Sequence, residues 1–128
     1  MTFSLSARSR DRLIGVHPKL VAVVGLAITI TTIDFCVLEG VRTIERQREL
    51  VAAGASQTMR SRHLTGHAID LGAMVNGEVR WDWPLYHKLA ISVKEAARRL
   101  GTPIEWGGDW TGGFKDGPHW QLPWREYP

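Results

Sequence analysis

The segment RSRHLTGHAIDLGA, residues 60–73, concentrates two histidines, a glycine and an aspartate in an otherwise small or apolar stretch. The separation of His63 and Asp70 corresponds to about 10 Å in an α-helix and to more than about 20 Å in a strand. A regular element therefore cannot bring both side chains to one point. Gly66 lies between them and, because it lacks a Cβ atom, it can adopt the backbone conformation of a sharp turn. We predict that the chain folds back at Gly66 and then enters a strand.

Side chains along a strand point alternately to its two faces. A strand that begins at His67 places Asp70 on one face with the small residues Ala68 and Gly72, which leave room for a site. His67 is sent to the opposite face and is a poor third ligand. The spacing of His63 and His67 also occurs in the HExxH helices of metallopeptidases, but the glutamate of that motif is absent here and a glycine interrupts the turn.

The segment KDGPHW, residues 115–120, offers a third ligand from a distant part of the chain. His119 follows a Gly-Pro pair, and Asp116 lies just before that pair. Two imidazoles and one carboxylate, from His63, His119 and Asp70, make a three-ligand zinc set that leaves a position open for water, as in catalytic rather than structural sites. A carboxylate that does not bind the metal can move a proton between water and a leaving amine, and Asp116 is our candidate for this role.

The rest of the sequence predicts an α+β fold in which helices flank a small antiparallel β-sheet. Apolar residues recur with helical spacing after Pro18 and after Pro84, and Thr43 can cap a third helix that ends at Gly54. Asn76-Gly77 predicts a hairpin turn. The predicted strands are 33–42, 67–75, 78–81, 102–106 and 118–122.

Composition limits the classes of function. The 128 residues fit one domain, 1–128, and 44% hydrophobic with 23% charged residues is typical of a folded chain. The single cysteine, Cys36, cannot form an internal disulfide. The net charge of +3 favours an anionic partner, but the basic residues are scattered without a nucleic-acid motif, so we expect no nucleic-acid partner.

The N-terminus does not resemble a signal peptide, and the apolar run 20–28 is too short to insert stably in a membrane.

The pattern Ser61-x-His63-x-x-Gly66-x-Ala68-x-Asp70, with Asp116-x-x-His119-Trp120 downstream, resembles the signature of a family of zinc peptidases. That family includes D-alanyl-D-alanine carboxypeptidases, the VanX- and VanY-type enzymes and phage L-alanyl-D-glutamate endolysins. The stretches RLIGVHPKL, EGVRTIERQ, WGGDW and FKDGPHWQL are similar to its small phage and prophage branch, so the resemblance spans nearly the whole chain.

The resemblance implies a hedgehog/D-Ala-D-Ala peptidase-like fold, one zinc ion and hydrolysis of the peptide stem of bacterial peptidoglycan. It implies that His63, Asp70 and His119 bind zinc and that Asp116 is the general base and acid, where larger relatives carry glutamate. Arg42 matches an arginine that binds the substrate carbonyl or the developing oxyanion. The residues expected to contact substrate are Ser61, Gln47, Trp106 and Trp110.

We expect a monomeric endolysin that cleaves the L-Ala–D-Glu bond and remains in the host cytoplasm until it is released to the cell wall. A D-Ala–D-Ala carboxypeptidase is the alternative enzyme. A non-catalytic zinc-bearing binding module is the alternative outside enzymes, and a basic nucleic-acid module would bind DNA in a salt-dependent way that survives chelation.

Overall fold

A computed structural model describes residues 2–56 and 58–128. It has the predicted order of helices and strands, preceded by one additional short helix. The elements are α1 (Ala7–Arg12), α2 (Pro18–Ile30), β1 (Asp34–Glu39), α3 (Ile44–Ala52), β2 (Ala68–Val75), β3 (Glu78–Arg80), α4 (Trp83–Leu100), β4 (Glu105–Trp106) and β5 (His119–Gln121), with 3-10 turns at Arg62–Thr65 and Gly107–Asp109.

The strands form one antiparallel sheet in which β2 is central. The strand order is β1-β2-β5-β4, and β3 pairs with the second half of β2 through the Asn76-Gly77 hairpin. Asn76 and Gly77 both have positive φ angles, as a tight hairpin requires. The pairing of β2 with β5 sets Asp70 directly opposite His119. Sheet register therefore brings together two residues that are far apart in the sequence.

The hydrophobic core lies between one face of the sheet and the helices α2 and α4, which also pack against each other. The alternation along β2 turns Ile69 and Leu71, both fully buried, into this core. Asp70 consequently lies on the other face, as predicted. α4 is amphipathic, begins after Asp82 and ends at Gly101, which adopts the left-handed conformation expected of a C-terminal glycine.

Two local features differ from the sequence-based prediction. Helix α1 was not predicted, because its six residues are too few to show a hydrophobic periodicity; its signal is Ser6, whose side chain accepts a hydrogen bond from the Ser9 backbone N–H. The strand predicted over 102–106 is only Glu105–Trp106. Cys36 in β1 is half-buried and free, and burial raises the pKa of its thiol.

In the two ranges that the structure describes, no helix combines the length and apolarity needed to cross a membrane. The apolar helix α2 buries Leu20, Val23, Val24 and Ala27 completely inside the protein. Its apolar character is therefore accounted for by the core.

Candidate metal centre

Three side chains that sequence analysis selected as metal ligands meet at one point. One potential ligand atom from each of His63, Asp70 and His119 lies within 4.8 Å of the other two. Oδ1 of Asp70 is 3.3 Å from Nε2 of His63 and 3.4 Å from Nδ1 of His119. These separations are too long for good hydrogen bonds, yet all three donor atoms point inward at a shared position.

The position of His63 depends on the turn at Gly66. His63 lies in the 3-10 turn Arg62–Thr65, whose first residues are capped by the Ser61 hydroxyl, and Gly66 ends the turn with φ 78°. This left-handed conformation confirms the predicted role of Gly66. A Cβ atom at Gly66 would also lie 2.5 Å from the carbonyl oxygen of Gly15, so the close packing leaves no room for another residue.

Each imidazole is oriented by a hydrogen bond from the ring nitrogen that faces away from the centre. Nδ1 of His63 donates to the Gly40 carbonyl at 2.9 Å, which leaves Nε2 with a lone pair. Nε2 of His119 donates to the Gln121 amide oxygen at 2.7 Å, which leaves Nδ1 with a lone pair. The Gln121 amide nitrogen in turn donates to Glu105 at 3.1 Å. Such outer partners fix the tautomer and direction of metal-binding histidines.

The centre fits a divalent metal ion because it leaves buried polar atoms without partners. Nε2 of His63 and Oδ1 of Asp70 are both inaccessible to water and make no hydrogen bond with the described residues. Buried polar groups without partners are rare because each costs free energy. A cation bound by two imidazole nitrogens and a carboxylate oxygen would satisfy them, and this donor set is one that zinc prefers.

Asp116 is held next to the centre by two backbone hydrogen bonds. Its N–H donates to the Gly107 carbonyl at 3.0 Å, and its carbonyl accepts from the His119 N–H at 3.2 Å. A Cβ atom on Gly107 would lie 2.3 Å from the Asp116 carbonyl oxygen, so the Gly-rich segment is required for this close approach. The carboxylate lines the same cleft as the three candidate ligands.

The two carboxylates near the centre have opposite pKa shifts. Burial raises the pKa of Asp116, and the negative charge of Asp70 raises it further. Burial alone would also raise the pKa of Asp70, but contacts with His119 and His63 outweigh it and hold that pKa well below its usual range. The lowered pKa suits Asp70 to be an ionised metal ligand, and the raised pKa suits Asp116 to transfer protons.

Arg42 is fixed beside the centre by a network of polar side chains. Its guanidinium donates to Glu39, to the Gln47 amide oxygen at 2.7 Å and to the Ser61 hydroxyl at 3.4 Å. Nη2 lies 3.8 Å from Oδ2 of Asp70. The Arg42 side chain is only 9% exposed, so it presents a preorganised positive charge to the cleft rather than a mobile one.

The centre opens into a cleft of about 690 Å³. Of the residues expected to contact substrate, Ser61 and Trp110 line this cleft, and the Trp110 ring centroid is 5.0 Å from that of His119. Gln47 and Trp106 do not line it. Gln47 is fully buried, with its amide bonded to Arg42, Ser56 and the Thr58 carbonyl. It therefore supports Arg42 and the backbone at Thr58 instead of lining the cleft.

Trp106 was expected to form a wall of the cleft, but it belongs to the core. It is 4% exposed, stacks on Trp120 and donates its indole N–H to the Gly117 carbonyl at 2.7 Å. The expected cleft wall is provided instead by residues that sequence analysis did not select. These are Phe114, Trp124, Arg60 and Glu39.

We expect the replacement of Gln121 with methionine to weaken metal binding by about ten- to a hundredfold, the usual effect of losing an outer partner of a ligand. Methionine fills a similar volume but cannot accept the hydrogen bond that orients His119. Competition with a chelating indicator dye measures the affinity. The matched control is Gln47→Met, which removes another buried amide, one whose hydrogen bonds go to Arg42, Ser56 and Thr58. Equal affinities in the two variants would contradict this role.

Comparison with known proteins gives a consistent set of relatives. Residues 1–122 match the family described as phage L-alanyl-D-glutamate peptidase. The chain is 29% identical to the L-alanyl-D-glutamate peptidase of Escherichia phage T5, over 95% of this chain and 99% of that protein. It is 42% identical to the L-alanyl-D-glutamate peptidase of Listeria phage A118, over 74% of this chain but only 32% of that longer protein.

A solved structure shares both the fold and much of the sequence. The crystal structure of the Serratia marcescens L-Ala D-Glu endopeptidase ChiX superposes with a TM-score of 0.91 and 54% sequence identity. The match covers 95% of this chain and 91% of that one. The likeness therefore extends over nearly the whole chain.

Proposed function

This chain belongs to the phage L-alanyl-D-glutamate peptidase family, and we propose that it cleaves the L-Ala–D-Glu bond in the peptide stems of bacterial peptidoglycan. One observation carries the proposal: His63, Asp70 and His119 converge on a position at the base of an open cleft that Asp116 also lines. A three-ligand set that leaves space for water and substrate is typical of a catalytic metal site.

We propose zinc as the metal and His63, Asp70 and His119 as its ligands. Bound zinc would supply Lewis-acid chemistry, polarising a carbonyl oxygen and making water acidic enough to react near neutral pH. The inward-facing lone pairs of the two imidazoles and the unpaired Asp70 oxygen support this assignment.

Asp116 is the proposed proton carrier. Its carboxylate takes the proton of the attacking water as the carbonyl carbon is attacked, and then delivers it to the nitrogen of the D-Glu residue as the C–N bond breaks. Its raised pKa suits a group that must both accept and release a proton. Arg42 provides a fixed cation where the carbonyl oxygen becomes negative, since the network around it holds its guanidinium in place.

Ser61 and Trp110 remain our candidates for substrate contact, because both line the cleft. Trp110 offers a half-exposed indole ring beside His119 on which an extended peptide can lie. We propose that residues 1–128 act as one domain, since a buried cluster joins α2, α4 and the sheet, and that this domain acts as a monomer. The cell wall is the proposed site of action after synthesis in the host cytoplasm, and the net charge of +3 favours approach to an anionic wall.

Mass spectrometry of peptidoglycan digested by the zinc-loaded protein tests which bond is cut. We expect peptides with a new D-Glu amino terminus and glycan that retains only L-Ala. Release of free D-Ala from otherwise intact stems would establish a D-Ala–D-Ala carboxypeptidase instead. Equimolar zinc binding without any cleavage would favour a binding module. Chelation followed by addition of zinc shows whether an inactive sample merely lacked its metal.

A further inference from the structure

A second depression of about 180 Å³ lies beside the cleft and shares Asp116 with it. Its aromatic lining consists of Trp81, Trp83 and Tyr86, which we call the aromatic shelf. Trp81 is 63% exposed and Trp83 is 43% exposed. Large exposed aromatic side chains grouped beside a polar rim usually mark a binding surface.

The two indole rings of the shelf are held in place. Trp81 lies parallel to Tyr86, with ring planes 8° apart and ring centroids 6.3 Å apart, and most of its indole stays exposed. Tyr86 is itself fixed by hydrogen bonds to the Arg80 carbonyl at 2.7 Å and from the Ala73 N–H at 3.3 Å. A ring that is already ordered loses little conformational entropy when a ligand stacks on it.

Trp83 connects the shelf to the catalytic segment. Its ring lies so close to Gly117 that a Cβ atom there would be 3.3 Å from the indole. Gly117 is the chain neighbour of Asp116. Trp83 also packs near His87, which in turn packs edge-on against the buried Trp106.

The proposed substrate carries a sugar close to the bond that is cut. In peptidoglycan the amino group of L-Ala is joined to the lactyl group of an N-acetylated muramic acid, so only L-Ala and the lactyl group separate the scissile bond from the sugar ring. Two such units span about 7 Å when extended. A protein that cuts this bond therefore has the glycan strand against its surface near the proton carrier.

We propose that the aromatic shelf is a binding site for the N-acetylated amino sugar of the glycan strand, a proposal that rests on the function proposed above. The apolar face of a pyranose ring stacks on an open indole face, as apolar surfaces pack on aromatic rings elsewhere. Lys115 at the rim offers a donor for hydroxyl and acetamido groups. The shelf thereby selects stems that are still attached to glycan.

Two substrates with the same stem test the proposal: a disaccharide-peptide released from peptidoglycan by a muramidase, and the same stem without sugar, acetylated on its L-Ala nitrogen. The measured quantity is the ratio of kcat/KM for the first to kcat/KM for the second. We expect Trp81→Ala and Trp83→Ala each to lower this ratio by about tenfold, the scale of one aromatic stacking contact. Ile91→Ala removes an exposed apolar side chain from helix α4, which begins at Trp83, and should leave the ratio unchanged.

Binding of the sugar to the aromatic shelf can be measured directly, without cleavage of the peptide. In zinc-loaded wild-type protein, the indole N–H signals of Trp81 and Trp83 should shift when the disaccharide GlcNAc–MurNAc is added, and that of the buried Trp120 should not. An unchanged ratio in both variants, or a ratio that falls only when Trp124 in the main cleft is replaced, would overturn the sugar site. Failure of the wild-type protein to cut either substrate would instead contradict the proposed function.

Discussion

Replacing Asp116 with asparagine is expected to lower kcat for cleavage of peptide stems by about 10²- to 10⁴-fold, the usual contribution of a positioned acid and base. Asparagine has nearly the same shape but cannot take up a proton from water. Because Asp116 is held through its backbone contacts with Gly107 and His119, the substitution should leave the surrounding backbone in place. Single-turnover cleavage of purified muropeptides measures the effect on the chemical step.

Metal content must be measured on the same samples, because a loss of zinc would lower the rate for another reason. We expect Asp116→Asn to retain one zinc ion per chain. Asp109→Asn is the matched control, since Asp109 is an exposed residue on the neighbouring turn whose carboxylate pairs with Lys94 instead of facing the cleft. Full activity of a zinc-loaded Asp116→Asn protein would remove this residue from the proton-transfer step.

The convergence of His63, Asp70 and His119 was predictable from sequence because each placement follows from a local rule. The two faces of a strand assign Asp70 to the cleft side of β2, and Gly66 supplies the turn that returns His63 to it. His119 reaches the same point if it lies on a second short strand that pairs with β2. The observed register, in which Asp70 faces His119, is the specific fact that the sequence pattern left open.

The assignments of Trp106 and Gln47 show where such rules stop working. Trp106 precedes a Gly-rich segment without hydrophobic periodicity, so the pattern does not indicate which way its indole points. Gln47 lies on α3, whose apolar residues stay at least partly exposed, and its burial follows from contacts with Arg42, Ser56 and Thr58 rather than from helical spacing. Both positions depend on tertiary contacts that are made only when the segments pack together.

The outer partners of the centre were also invisible in the sequence. Gln121 reaches His119 because the two are alternate residues on the same face of β5. Glu105 reaches Gln121 because β4 and β5 place these residues opposite each other. These contacts can be recognised only when the pairing of β4 with β5 is known. Because β4 has only two residues, the strand propensities of its residues do not define it.

Replacing Asp70 with asparagine is expected to abolish stable metal binding and to reduce activity to the level of the chelated protein. The substitution keeps the size of the side chain but removes the negative charge at the point where Nε2 of His63 and Nδ1 of His119 converge. Two neutral imidazoles without the anion form an incomplete zinc set. Dialysis followed by elemental analysis measures the metal content, and muropeptide cleavage measures the activity.

The control for Asp70→Asn is Asp34→Asn, which makes the same chemical change in the neighbouring strand β1, where Asp34 pairs with Met74 near the far end of β2. It should retain equimolar zinc and wild-type activity. Because Asp70 also lies 3.8 Å from Arg42, loss of activity alone would not distinguish a lost ligand from a displaced arginine. The metal content decides between them: an Asp70→Asn protein that holds one zinc ion as tightly as wild type would show that the carboxylate is not a ligand.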